Sequence, residues 1–172
     1  VVVDVQPSFL NARNEYIVKN ISKLLSKVKY EAHVVATFHA EKGSVWDVQQ
    51  KWVCLKGEST GTIEKILKNL KIFDVLRIEK TTKSVFKGSK NIASILRKRD
   101  ITEVHVVGLD TNDCVLATAY ESFDLGFITY AIEECCQSSS SAKLHDKALA
   151  ILRAQKMTNN SCVEKISFQG VR

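Results

Sequence analysis

The chain has 172 residues, 45% of them apolar and 26% charged, with seven Gly and one Pro. That balance can build a core, holds too few breakers for a disordered linker or a fibre, and fits one domain over residues 1–172. No apolar run approaches the ~20 residues of a membrane span, and the net charge of +6 is uneven, with 19 Lys/Arg against 10 Asp/Glu in residues 1–100 and 6 against 9 in residues 101–172.

Short β-branched runs alternate with helical periodicity from end to end. Val1–Val5 reads as a strand broken by one aspartate. Glu15–Val28 sets Ile17, Ile21, Leu24, Leu25 and Val28 on one helical face. Ala32–Phe38 is strand-like, and the irregular stretch Ala40–Ser59 carries both tryptophans. Thr60–Leu70 is helical, Phe73–Ile78 a strand, Asn91–Arg99 a helix and Glu103–Leu109 a strand. Cys114–Leu125 is a helix closed by Gly126, Phe127–Ile132 a strand, Ser141–Ala154 a helix and Val163–Phe168 a final strand. The Ser138–Ser141 run is a loop ending in an N-cap. The alternation implies βαβ units, so the expected fold is a three-layer α/β/α domain with a six-stranded, mostly parallel, Rossmann-like sheet.

The basic half does not point to nucleic acid. Lys19, Lys23 and Lys27, like Lys65 and Lys68, sit opposite apolar faces at helical spacing, as on a solvated helix surface. No RNP, KH, zinc-finger or Gly-Arg signature accompanies them. The five cysteines are Cys54, Cys114, Cys135, Cys136 and Cys162. An odd count without C-x-x-C spacing suits neither a disulfide framework nor a zinc site. Val1-Val2-Val3 opens the numbering with no basic region or cleavage site, so a cytoplasmic location with reduced thiols is expected. The N-x-S/T matches at Asn20 and Asn159 then carry no weight.

Ligands of a parallel sheet gather at the carboxyl ends of its strands. Asp4 lies there inside an apolar run, where an unpaired carboxylate costs several kcal/mol, so it is either used or caps nearby amides. Lys80 follows Val75-Leu76-Arg77-Ile78-Glu79 and on its own reads as one surface lysine among many. Cys114 follows Gly108-Leu109-Asp110-Thr111-Asn112-Asp113, at a strand–turn–helix junction where the helix dipole favours thiolate. The other cysteines lack that setting and suit small buried hydrophobes.

Together these segments resemble the isochorismatase-like cysteine hydrolases, which include the nicotinamidases. The family's D-x-Q-x-x-F pattern matches Asp4, Gln6 and Phe9, and its K-x-x-x-S-x-F pattern matches Lys80, Ser84 and Phe86. Its G-x-x-T-x-x-C-V-x-x-T-A segment matches Gly108, Thr111, Cys114, Val115, Thr118 and Ala119. The resemblance spans Val1 to about Ala154 and implies a triad of Asp4, Lys80 and Cys114. It further implies a cis peptide at Leu109–Asp110 and an oxyanion hole from the amides of Asp110 and Cys114. Phe9 would wall a planar small-molecule substrate, Trp46 and Trp52 would complete the pocket or serve core or interface, and members are usually dimers or higher homo-oligomers.

Departures from the family bear on chemistry. Nicotinamidases hold a metal through an Asp, a His two residues later and further histidines. Here the segment reads Thr37-Phe38-His39, and no His occurs between His39 and His105. One imidazole makes no metal site, so no metal and no cofactor are expected and nicotinamide is disfavoured as substrate. His39 either contacts substrate or caps its loop, while His33, His105 and His145 read as structural. The pocket is expected to be small and uncharged apart from the triad and His39. Cys114 favours hydrolysis of an amide-like C–N bond through a thioester. The alternatives are a catalytically silent binding member and a vinyl ether hydrolase working through Asp4 alone.

Overall fold

A computed structural model describes residues 1–54, 56–57, 61–159 and 161–169. Five strands form one parallel sheet in the order β3-β2-β1-β4-β5, built from β1 (Val2–Val3), β2 (His33–Phe38), β3 (Val75–Lys80), β4 (Glu103–Gly108) and β5 (Ile128–Cys136). The helices are α1 (Tyr16–Lys27), α2 (Val45–Gln50), α3 (Gly61–Asn69), α4 (Ile92–Arg97), α5 (Leu116–Asp124) and α6 (Ala142–Ala154).

The strands alternate their side chains between two apolar layers, as the pleat requires. Val2, Val35 and Val107 pack with Ile17, Ile21 and Leu24 of α1 and with Ile63 and Leu67 of α3. Val3, Val34 and Val106 pack on the other face with Ile92 and Leu96 of α4, Ala119 of α5 and Leu152 of α6. The three-layer architecture is therefore present. The chain runs outward from β1 through β2 to β3, then returns to the opposite side of β1 for β4. The switch point falls between β1 and β4, where an open α/β sheet leaves a crevice at its carboxyl edge.

The expected sixth strand is absent among the described residues, and the sheet has five. After α6, Thr158 makes one parallel bridge to Ala131 of β5, and Asn159 then turns left-handed. The Asn159 side chain accepts from Glu133 N (2.9 Å), occupying the sheet edge that a further strand would need. Residues 161–169 pack instead through Val163, Ile166 and Phe168 against the layer that holds α1. Asn20 pins them there, donating to Gln169 O and accepting from Gln169 N.

Other elements shift at their ends. β3 starts at Val75, leaving Phe73 exposed. β5 runs on through Glu133 and Glu134, because Arg153 and Asn159 satisfy their carboxylates. The Ala40–Ser59 excursion contains α2, capped by Ser44, and is closed by a bridge between Ala40 and Cys54. Its residues 55 and 58–59, and Thr60 at the expected start of α3, lie outside the described residues. The expected N-cap is Ser141, whose hydroxyl accepts from Leu144 N.

β1 and β4 approach so closely that Gly108 has no room for a side chain. Its φ is 122°, and a Cβ there would lie 2.1 Å from Val3 O. Gly108→Ala is expected to destabilise the fold by roughly 3 kcal/mol or more, since positive-φ strain of about 1–3 kcal/mol adds to backbone overlap. Urea denaturation checks this, and an unchanged midpoint would refute it.

Candidate active site

β1 stops at Val3 because Asp4 adopts φ 50°, a left-handed turn that Asp tolerates better than most side chains. Two residues later Gln6, wholly buried, takes the place of a strand backbone. Its side chain donates to Phe38 O (3.1 Å) and accepts from Phe38 N (2.6 Å). This ties the ends of β1 and β2 together. Phe38 stands beside Lys80 in the β2–β3 register, and the Lys80 ammonium lies 4.7 Å from the Phe38 ring centre. Lys80 therefore reaches back across β2 toward the switch point.

The structure brings Asp4, Lys80 and Cys114 together, all three buried. Lys80 Nζ donates to Asp4 Oδ2 (2.6 Å), to Thr82 O (2.9 Å) and to Cys114 Sγ (3.4 Å), which uses all three of its protons. Asp4 Oδ1 is buried and has no hydrogen-bond partner among the described residues. Cys114 sits in a wide π turn, Thr111–Val115, immediately before α5. His145 of α6 steadies this turn through Thr111, Nδ1 to Oγ1 at 2.9 Å. The peptide Leu109–Asp110 is cis.

Burial dominates the protonation chemistry. It raises Asp4 to about 6 against the opposing pull of the Lys80 charge. It pushes the Cys114 thiol well above its ordinary value, helped by the Asp4 charge and opposed by Lys80. The expected stabilisation of a resting thiolate is thus outweighed. Desolvation can move a buried group by 3–5 pKa units, whereas a helix terminus contributes ~0.3–2 kcal/mol. The resting cluster is a thiol beside a carboxylate–ammonium pair. Cys135 and Cys136 are also buried with raised pKa values, Cys136 to about 12, but neither meets Lys80 or Asp4 in a hydrogen bond.

A cavity of about 50 Å³ opens onto Asp4 and Cys114. Its aromatic walls are Phe9, Phe38, Trp46 and Trp52, and Leu109, Asp110 and Asp113 complete it. Trp46 is fixed by donating from Nε1 to Thr81 O (2.8 Å). Phe9 and Trp46, expected to contact substrate, both line this cavity. His39 does not line the cavity: it follows the end of β2, with its N–H bonded to Lys80 O (3.0 Å). The expectation of a pocket uncharged apart from the triad and His39 is also corrected. Asp113 lines it and pairs with Lys83, and Asp110 lines it as a further carboxylate. Phe38 was missed, although the strand-end rule that selected His39 applies equally to its neighbour.

The remaining histidines have structural partners. His105 meets Tyr30 Oη (2.7 Å) and Glu103 (2.8 Å). The donor set at the end of β2 does not fit a metal. Thr37 stands where a carboxylate would be needed, and its hydroxyl donates to Ile78 O. Among the described residues no three His, Cys, Asp or Glu side chains gather as a metal site.

The chain belongs to the isochorismatase family, whose isochorismatase domain matches residues 1–163. It is an isochorismatase-like hydrolase. Among solved structures it is similar to a pyrazinamidase/nicotinamidase from Streptococcus mutans (19% identity, TM-score 0.75, 92% of this chain and 96% of that one). It is similar also to a nicotinamidase from Staphylococcus aureus (23%, 0.70, 92% and 94%) and to an isochorismatase-like hydrolase from Alkaliphilus metalliredigens (17%, 0.69, 96% and 94%). No curated protein matches the chain by sequence.

Lys80→Ala would leave the Asp4 carboxylate buried without its cation, at an expected cost of about 3–5 kcal/mol at pH 8. The sign of the pH effect follows from Asp4. Its folded pKa already exceeds the ordinary 3.8, so its contribution is most favourable below that value and is lost as pH rises through about 6. Without Lys80 the folded pKa rises further. Urea denaturation should therefore show a smaller penalty at pH 5 than at pH 8, and equal penalties would refute this account.

Proposed function

We propose that the protein hydrolyses an amide-like C–N bond of a small molecule through a thioester on Cys114, without a metal. The observation that carries this reading is the state of Asp4. One carboxylate oxygen is bonded to Lys80, while the other, Oδ1, is buried and unpartnered in the residue that shares a cavity with Cys114. A carboxylate near 6 with one open oxygen is suited to receive a proton at neutral pH and return it.

As the Cys114 thiol passes its proton to Asp4, sulfur attacks the substrate carbonyl carbon. The C=O electrons move onto oxygen, and the amides of Asp110 and Cys114 receive that oxyanion. Collapse breaks the C–N bond, and Asp4 gives its proton to the departing nitrogen, which leaves a thioester and an amine. Water then gives a proton to Asp4 while its oxygen attacks the thioester. The second collapse releases the carboxylic acid, and the sulfur recovers its proton from Asp4. Lys80 keeps Asp4 ionised between these transfers and holds both partners in line. The aromatic faces of Phe9, Trp46 and Trp52 suit a small planar substrate. The same reading carries a cytoplasmic location, and a homo-oligomer in which a second copy covers the exposed Val45 and Val48 of α2.

The test is a panel of small amides, ureas, carbamates and isochorismate, assayed with and without chelator. Turnover of an amide that ignores chelator and falls by about 10³-fold or more in both Cys114→Ala and Asp4→Asn is expected. The rate should rise with pH through about 6 as Asp4 ionises. Turnover of isochorismate that survives Cys114→Ala and dies with Asp4→Asn would replace this reading with aspartate-driven ether hydrolysis. Chelator-sensitive nicotinamide hydrolysis would overturn the metal-free mechanism.

A further inference from the structure

The nucleophile turn is also held from the segment that follows β5. Thr111 N donates to Gln137 O (3.1 Å) and Gln137 N to Gly108 O (3.3 Å), so the β4–β5 pairing continues past both strands. Between these rungs sits Asp110, whose own N–H donates to no acceptor among the described residues. Its carboxylate is gripped at both oxygens by one residue. Ser139 N donates to Oδ1 (2.8 Å) and Ser139 Oγ to Oδ2 (2.7 Å). Ser139 is anchored in turn, because its carbonyl accepts from Asn11 Nδ2 (3.0 Å).

A carboxylate held at both ends cannot swivel, and its short side chain transmits that restraint to the peptide plane. With both oxygens bonded to Ser139, Asp110 is poorly placed to move protons, unlike Asp4 with its open oxygen. Burial works against the charged form of Asp110 and the two Ser139 bonds favour it, so the grip and the ionised state support each other.

We propose that Asp110 and Ser139 form a positioning clasp that aims the free Asp110 N–H at the substrate oxyanion, an inference that rests on the hydrolase reading above. Asp110 is then a positioning residue acting through its own backbone. It also gives a function to a serine run that reads in sequence only as a loop and an N-cap.

The experiment compares Asp110→Ala, Asp110→Asn, Ser139→Ala and the Asp110→Ala/Ser139→Ala double variant in the full chain. Loss of a whole oxyanion donor costs about 10²–10³ in kcat, and a donor retained but misaimed should cost about 10- to 100-fold. Asp110→Ala and Ser139→Ala should each lower kcat by that amount on the amide the wild type cleaves, with KM within about twofold. The double variant should be no worse than the poorer single, since the two act as one unit. Asp110→Asn should recover most of the rate, because its amide can still pair with both Ser139 groups. Independently of activity, hydrogen exchange across residues 109–116 should quicken in both alanine variants while their melting temperatures stay near wild type.

Losses that multiply in the double variant, a change confined to KM, or Asn no better than Ala would each overturn the clasp. Unchanged exchange would overturn it even where no amide is cleaved. A wild type that cleaves no amide would sink the amide-hydrolase reading and with it the oxyanion role, and faster exchange in the variants would then leave only the restraint of the turn by Ser139.

Discussion

A carboxylate and an ammonium sealed from water at the carboxyl edge of the sheet set the terms for everything around them. Each ion costs several kcal/mol to bury, and their attraction repays that only when geometry is good and the remaining donors are satisfied. Lys80 meets this demand by spending its three protons on Asp4, the Thr82 carbonyl and the Cys114 sulfur, while its charge lies near the face of Phe38. Asp4 meets it only halfway, because one oxygen is left without a partner. With the cation satisfied fully and the anion partly, the pair's unmet polar demand lies at one atom, Asp4 Oδ1. The surrounding devices fix that atom in place: the left-handed turn at Asp4, the Gln6 side chain posing as backbone against Phe38, and the Gly108 approach to Val3.

The same burial decides the state of the sulfur. Lys80 and the start of a helix both favour thiolate, yet Cys114 is held as a thiol because removing its charge from water outweighs them. Cysteine, lysine and aspartate here do not make a permanently armed nucleophile. They make a neutral sulfur whose proton has one nearby destination, the carboxylate that burial has raised to about 6. In the proposed mechanism that transfer is coupled to the arrival of a carbonyl able to accept the developing negative charge, which avoids storing a thiolate in a dry pocket.

The legible parts of this molecule were those written in local periodicity or at strand ends. Ile17, Ile21 and Leu24 announce the buried face of α1, Asp4 and Lys80 fall at the carboxyl ends of β1 and β3, and Cys114 falls in the turn that joins β4 to α5. The C-terminal strand was misread for the same reason. Ile166 and Phe168 alternate as a strand would, but alternation says only that one face is buried, and that face lies against the α1 layer rather than in the sheet. What claims the sheet edge is one side chain, Asn159, and no pattern in the sequence marks a side chain that caps a strand. Ser139 was hidden likewise, since its partner Asp110 is 29 residues away and only the closing of β4 on β5 brings them together. His39 shows the converse error: its position follows a strand end, but Phe38, one residue earlier, is the side chain that reaches the cavity.

The charges around the cavity bear on which hydrolysis this site favours. Three carboxylates, Asp4, Asp110 and Asp113, line it, and two lysines answer them, Lys80 paired with Asp4 and Lys83 with Asp113. Asp110 is balanced only by the neutral donors of Ser139, which leaves one negative charge in excess. Both lysines are already engaged, so neither is available to a substrate carboxylate without breaking an ion pair. A vinyl ether that carries carboxylates, such as isochorismate, would enter against that field, and among the described residues lining the cavity it would meet no cation. A small uncharged amide meets no such barrier, and its N–H groups are the kind of donor that an unpartnered Asp4 Oδ1 lacks. Electrostatics and the open oxygen thus support the proposed reading of a neutral, planar substrate, as do the aromatic walls.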